Sequence, residues 1–382
     1  MLPTDRTVVR RPGPVGASAR FRARDLSAPW RHVDGILAGA VGVVVVLGAL
    51  MVHSATRNLD GEGGTLPRHV LFIVGGMVAG ALLSLIDYRR IADWWQAWYV
   101  IAMVALVGVL SPLGSVVNGT KGWYRVGPIT IQPAEFTKLA TIVAVAAYLG
   151  SVDRVDLRRL GVALGLFAVP TAITLLQPDL GSALVFIVVA MGMLVVGGVR
   201  MRHLAVLVLI GVAGVFAILS SDALDEYQRD RLTSFVSPDG QSYNVEQAQR
   251  AIGSGGLTGY GFGEGPQTRG GYVPEQETDF IFTVAGEELG FIGAGGLVLL
   301  YGVIVWRVWR VAQLASDPLG TLICVGVMSM FMFHIFENIG MTLGIMPVTG
   351  IPLPFVSYGG SSMLTSFAAV GLVQSVHMHR FA

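Results

Sequence analysis

The sequence predicts an all-α, polytopic membrane protein, and three observations carry that prediction. Of 382 residues, 53% are hydrophobic and 13% charged, with a mean hydropathy of +0.64, whereas soluble domains carry about 25% charged residues. Apolar runs near 20 residues, long enough to cross hydrocarbon at about 1.5 Å per residue, recur about ten times. They cover 33–53, 68–86, 92–112, 133–150, 158–176, 180–199, 202–220, 279–305, 318–342 and 360–378. Finally, the arginines fall in alternate connections: the N-terminal tail, Asp87 to Arg90, Arg154 to Arg159, Arg200 to His203 and Arg307 to Arg310. Positive residues collect on the cytoplasmic side, so both termini are expected there and the number of spans should be even. Loops 54–67, 113–132, 221–278 and 343–359 then face outward, the largest lying between the seventh and eighth spans.

In chain order, residues 1–32 hold Arg6, Arg10, Arg11, Arg20, Arg22, Arg24 and Arg31 without an apolar core. That excludes a cleavable signal peptide in this segment and leaves a cytoplasmic tail or a transit peptide, of which the tail is expected. Residues 33–380 form one membrane domain. The single cysteine, Cys324, lies in an apolar run, so an intrachain disulfide is impossible and a reactive thiolate there would be poorly solvated. The net charge of +1 hides the sorting of charges and says little about partners; no nucleic acid is expected among them.

The extracytoplasmic loop 221–278 is acidic, unlike the basic inner connections. A short amphipathic helix is expected over 245–252. The glycines that follow (Gly253, Gly255, Gly256, Gly259, Gly261, Gly263 and Gly265) have no preceding strand and no following Lys-Ser or Lys-Thr, so they are not a nucleotide P-loop. They would let the loop lie flat on the membrane and on helix ends, or turn backbone N–H groups toward a diphosphate. No internal repeat is visible.

Polar residues interrupt the apolar pattern at a few places. Glu135 and Lys138, three apart behind Gln132-Pro133, share a helix face; they form either a self-paired couple or a site in which Lys138 turns to an anionic substrate. Lys121, Trp123, Tyr124 and Arg125 lie at the outer interface, where aromatics form a belt and the planar fork of Arg125 suits phosphate oxygens. Asp179, in Gln177-Pro178-Asp179, is placed to cap the sixth span. In Tyr272 to Gly290, Thr278 stands where an N-cap belongs and Asp279 in the first helical turn, either as a dipole-favoured acid or as a site acid at the rim of hydrocarbon. On a straight helix, Glu287 lies about 12 Å below Asp279, and Glu287 and Glu288 read as buried structural groups. His334, Glu337 and Asn338 share one face of the ninth span, with His334 and Glu337 read as a satisfied interhelical contact in preference to a proton relay. Pro347, Pro352 and Pro354 make 345–360 non-helical, hence part of a cavity wall with Ser357 and Tyr358 facing the ligand.

The stretch Thr278-Asp279-Phe280-Ile281-Phe282 and the block Asn338 to Ser362 together resemble the SEDS family (shape, elongation, division and sporulation) over about Val33 to Val376. The loop from Tyr243 and the run Ile86 to Arg89 resemble its RodA, or elongation, branch. The resemblance implies a peptidoglycan glycosyltransferase of the bacterial cytoplasmic membrane that polymerises lipid II onto a growing glycan strand, with Asp279 required for polymerisation. It places Glu135 and Lys138 in a central cavity and Asp179 at its mouth. The family's paired arginines are here Lys121-Gly122-Trp123-Tyr124-Arg125. A direct, inverting displacement needs one base, Asp279, with Glu275, Glu277 and Asp179 as the other candidate acids. Arg125, Lys121 or Lys138, or a divalent cation such as Mg2+ or Mn2+, would hold the leaving diphosphate; no cofactor is certain. Ser357 completes the predicted substrate contacts. The family implies a class B penicillin-binding protein as transpeptidase partner. The rival readings are a lipid-linked precursor flippase or transporter, and a noncatalytic scaffold; a carboxylate at the rim and the lack of repeats weigh against transport.

Overall fold

The computed structural model describes residues 32–57, 65–117, 119–127, 129–151, 155–219 and 243–380. The Arg-rich tail and the first part of the 221–278 loop lie outside the described residues. In chain order the helices are α1 (Gly35–Thr56), α2 (Thr65–Leu85), α3 (Tyr88–Asp93), α4 (Trp95–Gly108), α5 (Pro133–Gly150), α6 (Leu157–Leu176), α7 (Leu180–Val196) and α8 (Met201–Leu219). They continue with α9 (Tyr243–Ser254), α10 (Pro266–Gly270), α11 (Ile281–Leu314), α12 (Pro318–Thr342) and α13 (Gly360–Met378).

Each of the ten expected apolar runs coincides with a helix. Five of these, α1, α2, α6, α11 and α12, have the length and hydropathy to cross a membrane, and α4, α7 and part of α8 are shorter apolar helices. The remaining two, α5 and α13, are the polar ones. They lie inside the bundle: Glu135, Thr137, Lys138 and Thr141 of α5, and Ser361, Thr365, Gln374 and Ser375 of α13, are all buried. Apolar helices face outward and polar helices are sheltered, as a lipid solvent requires.

Helix ends follow local chemistry. The Asp34 carboxylate accepts the Ile36 and Leu37 N–H groups to start α1, and it also takes a two-pronged contact from Arg307 (2.9 and 2.6 Å), tying α1 to α11. Asp317 caps α12 just ahead of Pro318, which occupies the first turn where no N–H is needed. Close backbone approach joins α2 to α13: a side chain at Gly80 would meet the Phe367 carbonyl at 2.6 Å, and one at Gly371 the Gly80 carbonyl at 2.4 Å.

A small sheet adds to the helical architecture. Strands β1 (Gly114–Val117), β2 (Thr120–Val126) and β3 (Ile129–Ile131) form an antiparallel order β1-β2-β3, with Gly114 opposite Tyr124 and Arg125 opposite Thr130. Its β-branched and aromatic residues suit a pleated surface, and Gly119 and Gly127 supply the left-handed turn positions between strands. Tyr124 donates to the Ala105 carbonyl and so seats the sheet on α4.

The helix α11 is broken. Gly290 has φ 65° and ψ −166°, and the glycine loop fills the gap: Tyr260 and Gly261 N–H groups bond the Glu287 and Glu288 carbonyls, while Phe291 and Ile292 N–H groups bond the Gly256 and Leu257 carbonyls. A side chain at Gly255 or Gly259 would meet α11 carbonyls at 2.1 Å, so close backbone contact explains these glycines. Helix α9 confirms the expected amphipathic segment, with Val245, Ala248 and Ala251 buried.

Candidate functional site

Residues 275–280 make a tight turn before α11. Glu275 adopts φ 52°, and its carbonyl receives the N–H groups of Thr278, Asp279 and Phe280 (3.2, 3.1 and 3.2 Å). Helix α11 therefore starts only at Ile281, with Phe280 at the cap position. This corrects the expectation that Thr278 caps the helix and that Asp279 stands in its first turn. The Thr278 hydroxyl instead donates back to the Glu275 carbonyl and carboxylate. Gln276, buried, stakes the turn to the Ala55 carbonyl (2.8 Å) and the Thr268 carbonyl (3.2 Å).

The proline-rich segment after α12 grips the same turn from the other side. The Ser357 hydroxyl donates to the Thr278 carbonyl (2.5 Å), the Tyr358 N–H to the Glu277 carbonyl (2.8 Å), and the Asn338 amide to the Asp279 carbonyl (2.8 Å). All three bonds hold backbone. Asp279 is half-buried, and its carboxylate lies over exposed Gly350, where a Cβ would come within 3.3 Å of Oδ2. Phe355, in the same segment, holds φ 66° with its ring buried between Phe331 and Phe367. An aromatic residue there is strained, and such strain concentrates where surroundings over-determine a site.

Asp179 reaches this locus through its neighbours. Its carboxylate caps α7 by accepting the Ser182 N–H (2.9 Å) and takes the Gln132 side-chain amide (3.0 Å), joining the starts of α7 and α5. A side chain at Gly181 would meet the Thr349 carbonyl and Ile351 at 2.9 Å. Asp179 and Asp279 thus flank the segment 349–351.

Glu135 and Lys138 pair at 2.8 Å and are 4% and 2% exposed. The Lys138 ammonium also touches His334 Nε2 at 3.1 Å, while His334 Nδ1 lies 2.7 Å from the Met330 carbonyl. That arrangement assigns the ring proton to Nδ1 and leaves Nε2 to accept from Lys138. The self-paired reading of the couple therefore describes this state, with His334 as the third member; the charge is turned into protein and away from a substrate. His334 thus makes the expected interhelical contact, with Lys138 on α5. Glu337 instead accepts from the Thr349 hydroxyl (2.9 Å).

The remaining predicted contacts divide. Ser357 is 3% exposed, and its hydroxyl is occupied by the Thr278 carbonyl and the Leu353 N–H, so it braces the turn where a ligand contact was expected. The Lys121 ammonium donates to the Leu110 carbonyl (2.9 Å). Arg125 stands exposed on β2. Glu287 is fully buried and accepts the Gln267 and Thr268 N–H groups and the Thr268 hydroxyl (2.7, 2.9 and 2.6 Å). Glu288 accepts from Ser54 in the last turn of α1 (2.5 Å). Both are buried and bonded as expected. Among the described residues no three His, Cys, Asp or Glu side chains converge.

Three contributors escaped the sequence reading: Asn338 as a holder of Asp279, Gln132 as the partner of Asp179, and Gly350 beneath the carboxylate. Asn338 carried a signal, an amide late in an apolar helix just before a proline-rich break.

A family of cell cycle proteins typified by FtsW, RodA and SpoVE matches residues 32–381. The stage V sporulation protein E of Bacillus subtilis is 38% identical over 347 residues, covering 87% of this chain and 94% of that protein. The peptidoglycan glycosyltransferase MrdB of Escherichia coli K12 is 35% identical over 346 residues, covering 88% and 93% respectively. Among solved structures, a chain of a peptidoglycan synthase complex that coordinates polymerisation and crosslinking superposes with a TM-score of 0.78 at 30% identity, covering 91% of this chain and 98% of that one.

Proposed function

Because the chain belongs to the SEDS family of FtsW, RodA and SpoVE cell cycle proteins, we propose that it is a peptidoglycan glycosyltransferase polymerising lipid II with Asp279 as general base. The observation that carries the assignment is a half-buried aspartate in a turn, 277–279, whose three carbonyls are each held by a separate hydrogen bond. A base must be held still while its proton-accepting oxygens stay accessible.

In the proposed reaction a sugar hydroxyl attacks the anomeric carbon of the lipid-linked partner. The new glycosidic C–O bond forms as the bond to the diphosphate oxygen breaks, the hydroxyl proton passes to Asp279, and the polyprenyl diphosphate leaves with its electron pair. Attack opposite the leaving group inverts the anomeric centre. Arg125, whose exposure leaves it open to a ligand, is our choice of cation for the diphosphate over Lys138, which is engaged by Glu135 and His334, and Lys121, which is engaged by Leu110. Asp179 and Gln132 line the other side of 349–351 and complete the polar rim.

The elongation branch, a class B transpeptidase partner and an arrangement with both termini cytoplasmic belong to the same proposal. The run Ile86 to Arg89 supports the branch; complementation of an elongation-defective strain, with no rescue of a division-defective one, tests it. A synthase complex among the structural relatives supports the partner, and arginine sorting supports the topology. A reporter inserted near Gly240 should be accessible from outside and one after Ala382 should not.

The deciding experiment supplies purified protein with lipid II, in the presence of a class B penicillin-binding protein whose transpeptidase is blocked, and sizes the products. Parent protein should make polymer and Asp279→Asn should not. A flippase or a scaffold would make none in either form, and polymer at parental rate from Asp279→Asn would move the search to Glu275 or Asp179.

A further inference from the structure

Asn338 is fully buried near the end of α12, and one amide nitrogen serves two carbonyls, Asp279 O and Ile351 O, each at 2.8 Å. Its orientation is fixed by chemistry: rotating the amide would set its oxygen against both carbonyls, so the NH2 group must face them. The consequence is that Oδ1 is left buried with no partner. The preceding residue behaves alike, since Glu337 holds the Thr349 hydroxyl with one oxygen and leaves Oε2 buried without a partner. An unsatisfied buried polar atom is destabilising. Here two such atoms fall on successive residues, Glu337 and Asn338.

Together these residues pin Thr349 and Ile351, the two neighbours of Gly350. Gly350 has φ 75° and is the residue against which Asp279 Oδ2 lies. The same amide that holds the Asp279 backbone therefore also sets the floor beneath its carboxylate.

Resting on the reading of Asp279 as base, we propose that Asn338 is a positioning residue for the transfer reaction: its two N–H donors fix the separation between the Asp279 turn and the Gly350 segment, and hence where the carboxylate points. Asn338 touches neither substrate nor reacting atoms. Its effect falls on turnover, while substrate binding is left to other groups.

Asn338→Leu keeps approximate size and removes both donors. In the lipid II assay, with partner present and transpeptidase blocked, kcat should fall by about 10- to 100-fold, the scale of a misplacement near 1 Å, with KM within about twofold of parent. Gly350→Ala presses on the same carboxylate from below and should lower kcat in the same pattern. In Asp279→Asn, adding Asn338→Leu should cost less than about threefold more, because residues acting through one group are not additive. A raised KM, a multiplicative loss in the double variant, or parental kcat in Gly350→Ala when Asn338→Leu does not fold would each overturn the proposal. Failure of both single variants to fold would overturn it too, since the segment would then be architectural. Asp279→Asn tests the base separately: parental turnover there removes the base assignment and the positioning role with it, whereas an impaired Asp279→Asn beside a parental Asn338→Leu removes the positioning role alone.

Discussion

Asp279 and Glu287 are carboxylates eight residues apart on one segment, and the fold treats them in opposite ways. Around Glu287 the protein satisfies the side chain: two backbone N–H groups and a hydroxyl converge on its oxygens, and no surface is left open. Around Asp279 it satisfies the backbone, through Asn338 to its own carbonyl and through Ser357 and Tyr358 to the two preceding carbonyls, and the residue stays half-buried over a glycine. The fold encloses the first acid and braces the turn that carries the second. The pair Glu135 and Lys138 follows the first pattern, enclosed with His334 between α5 and α12.

The largest contrast is expected in activity. Asp279→Asn should lower polymerisation by 10²- to 10⁴-fold, the range of general-base removal, with an unchanged thermal midpoint in detergent. A matching loss from Glu287→Gln in a fully folded protein would erase the distinction.

Next in size is Lys138→Met. It strands the buried Glu135 carboxylate and should destabilise the protein by roughly 3–5 kcal/mol. Adding Glu135→Leu should recover much of that in thermal unfolding, because an apolar pair needs no compensation; recovery of stability without recovery of activity would give the pair a second role beyond structure.

For Glu287→Gln the expected cost is about 2 kcal/mol, from the loss of charge-assisted acceptance of Gln267 and Thr268 N–H groups. Proteolysis at residues 255–270 should then increase, since the glycine loop is held to α11 in part by that carboxylate.

A smaller effect concerns pH. Burial pushes the Asp317 carboxyl up, but the Gly320 N–H, the Tyr88 hydroxyl and the Arg89 guanidinium outweigh it and hold it below its ordinary range. Its stabilising contribution is therefore complete above the ordinary carboxylate range and disappears as pH falls through the lowered folded value. Asp317→Asn should reduce stability at neutral pH and converge with parent in acid.

Smallest of all, Glu246→Gln breaks an exposed pair with Arg250 and should change stability by less than about 0.5 kcal/mol.

By itself the sequence determined the membrane class and the places of the ten helices that match its apolar runs, because hydrocarbon imposes a length and a polarity that read directly from composition. It also marked α5 and the proline-rich segment as polar intrusions, and the amphipathic period fixed α9. What the tertiary structure decided was which polar groups meet. His334 and Glu337 share a helix face, yet one bonds Lys138 on α5 and the other Thr349 beyond its own helix. A single left-handed glycine, Gly290, interrupts α11 just after Glu287 and Glu288 and lets the distant glycine loop bond their carbonyls. Periodicity records which side of a helix is buried, but hydrogen-bond partners depend on the rotation and depth of the neighbouring helix, and no local pattern carries those.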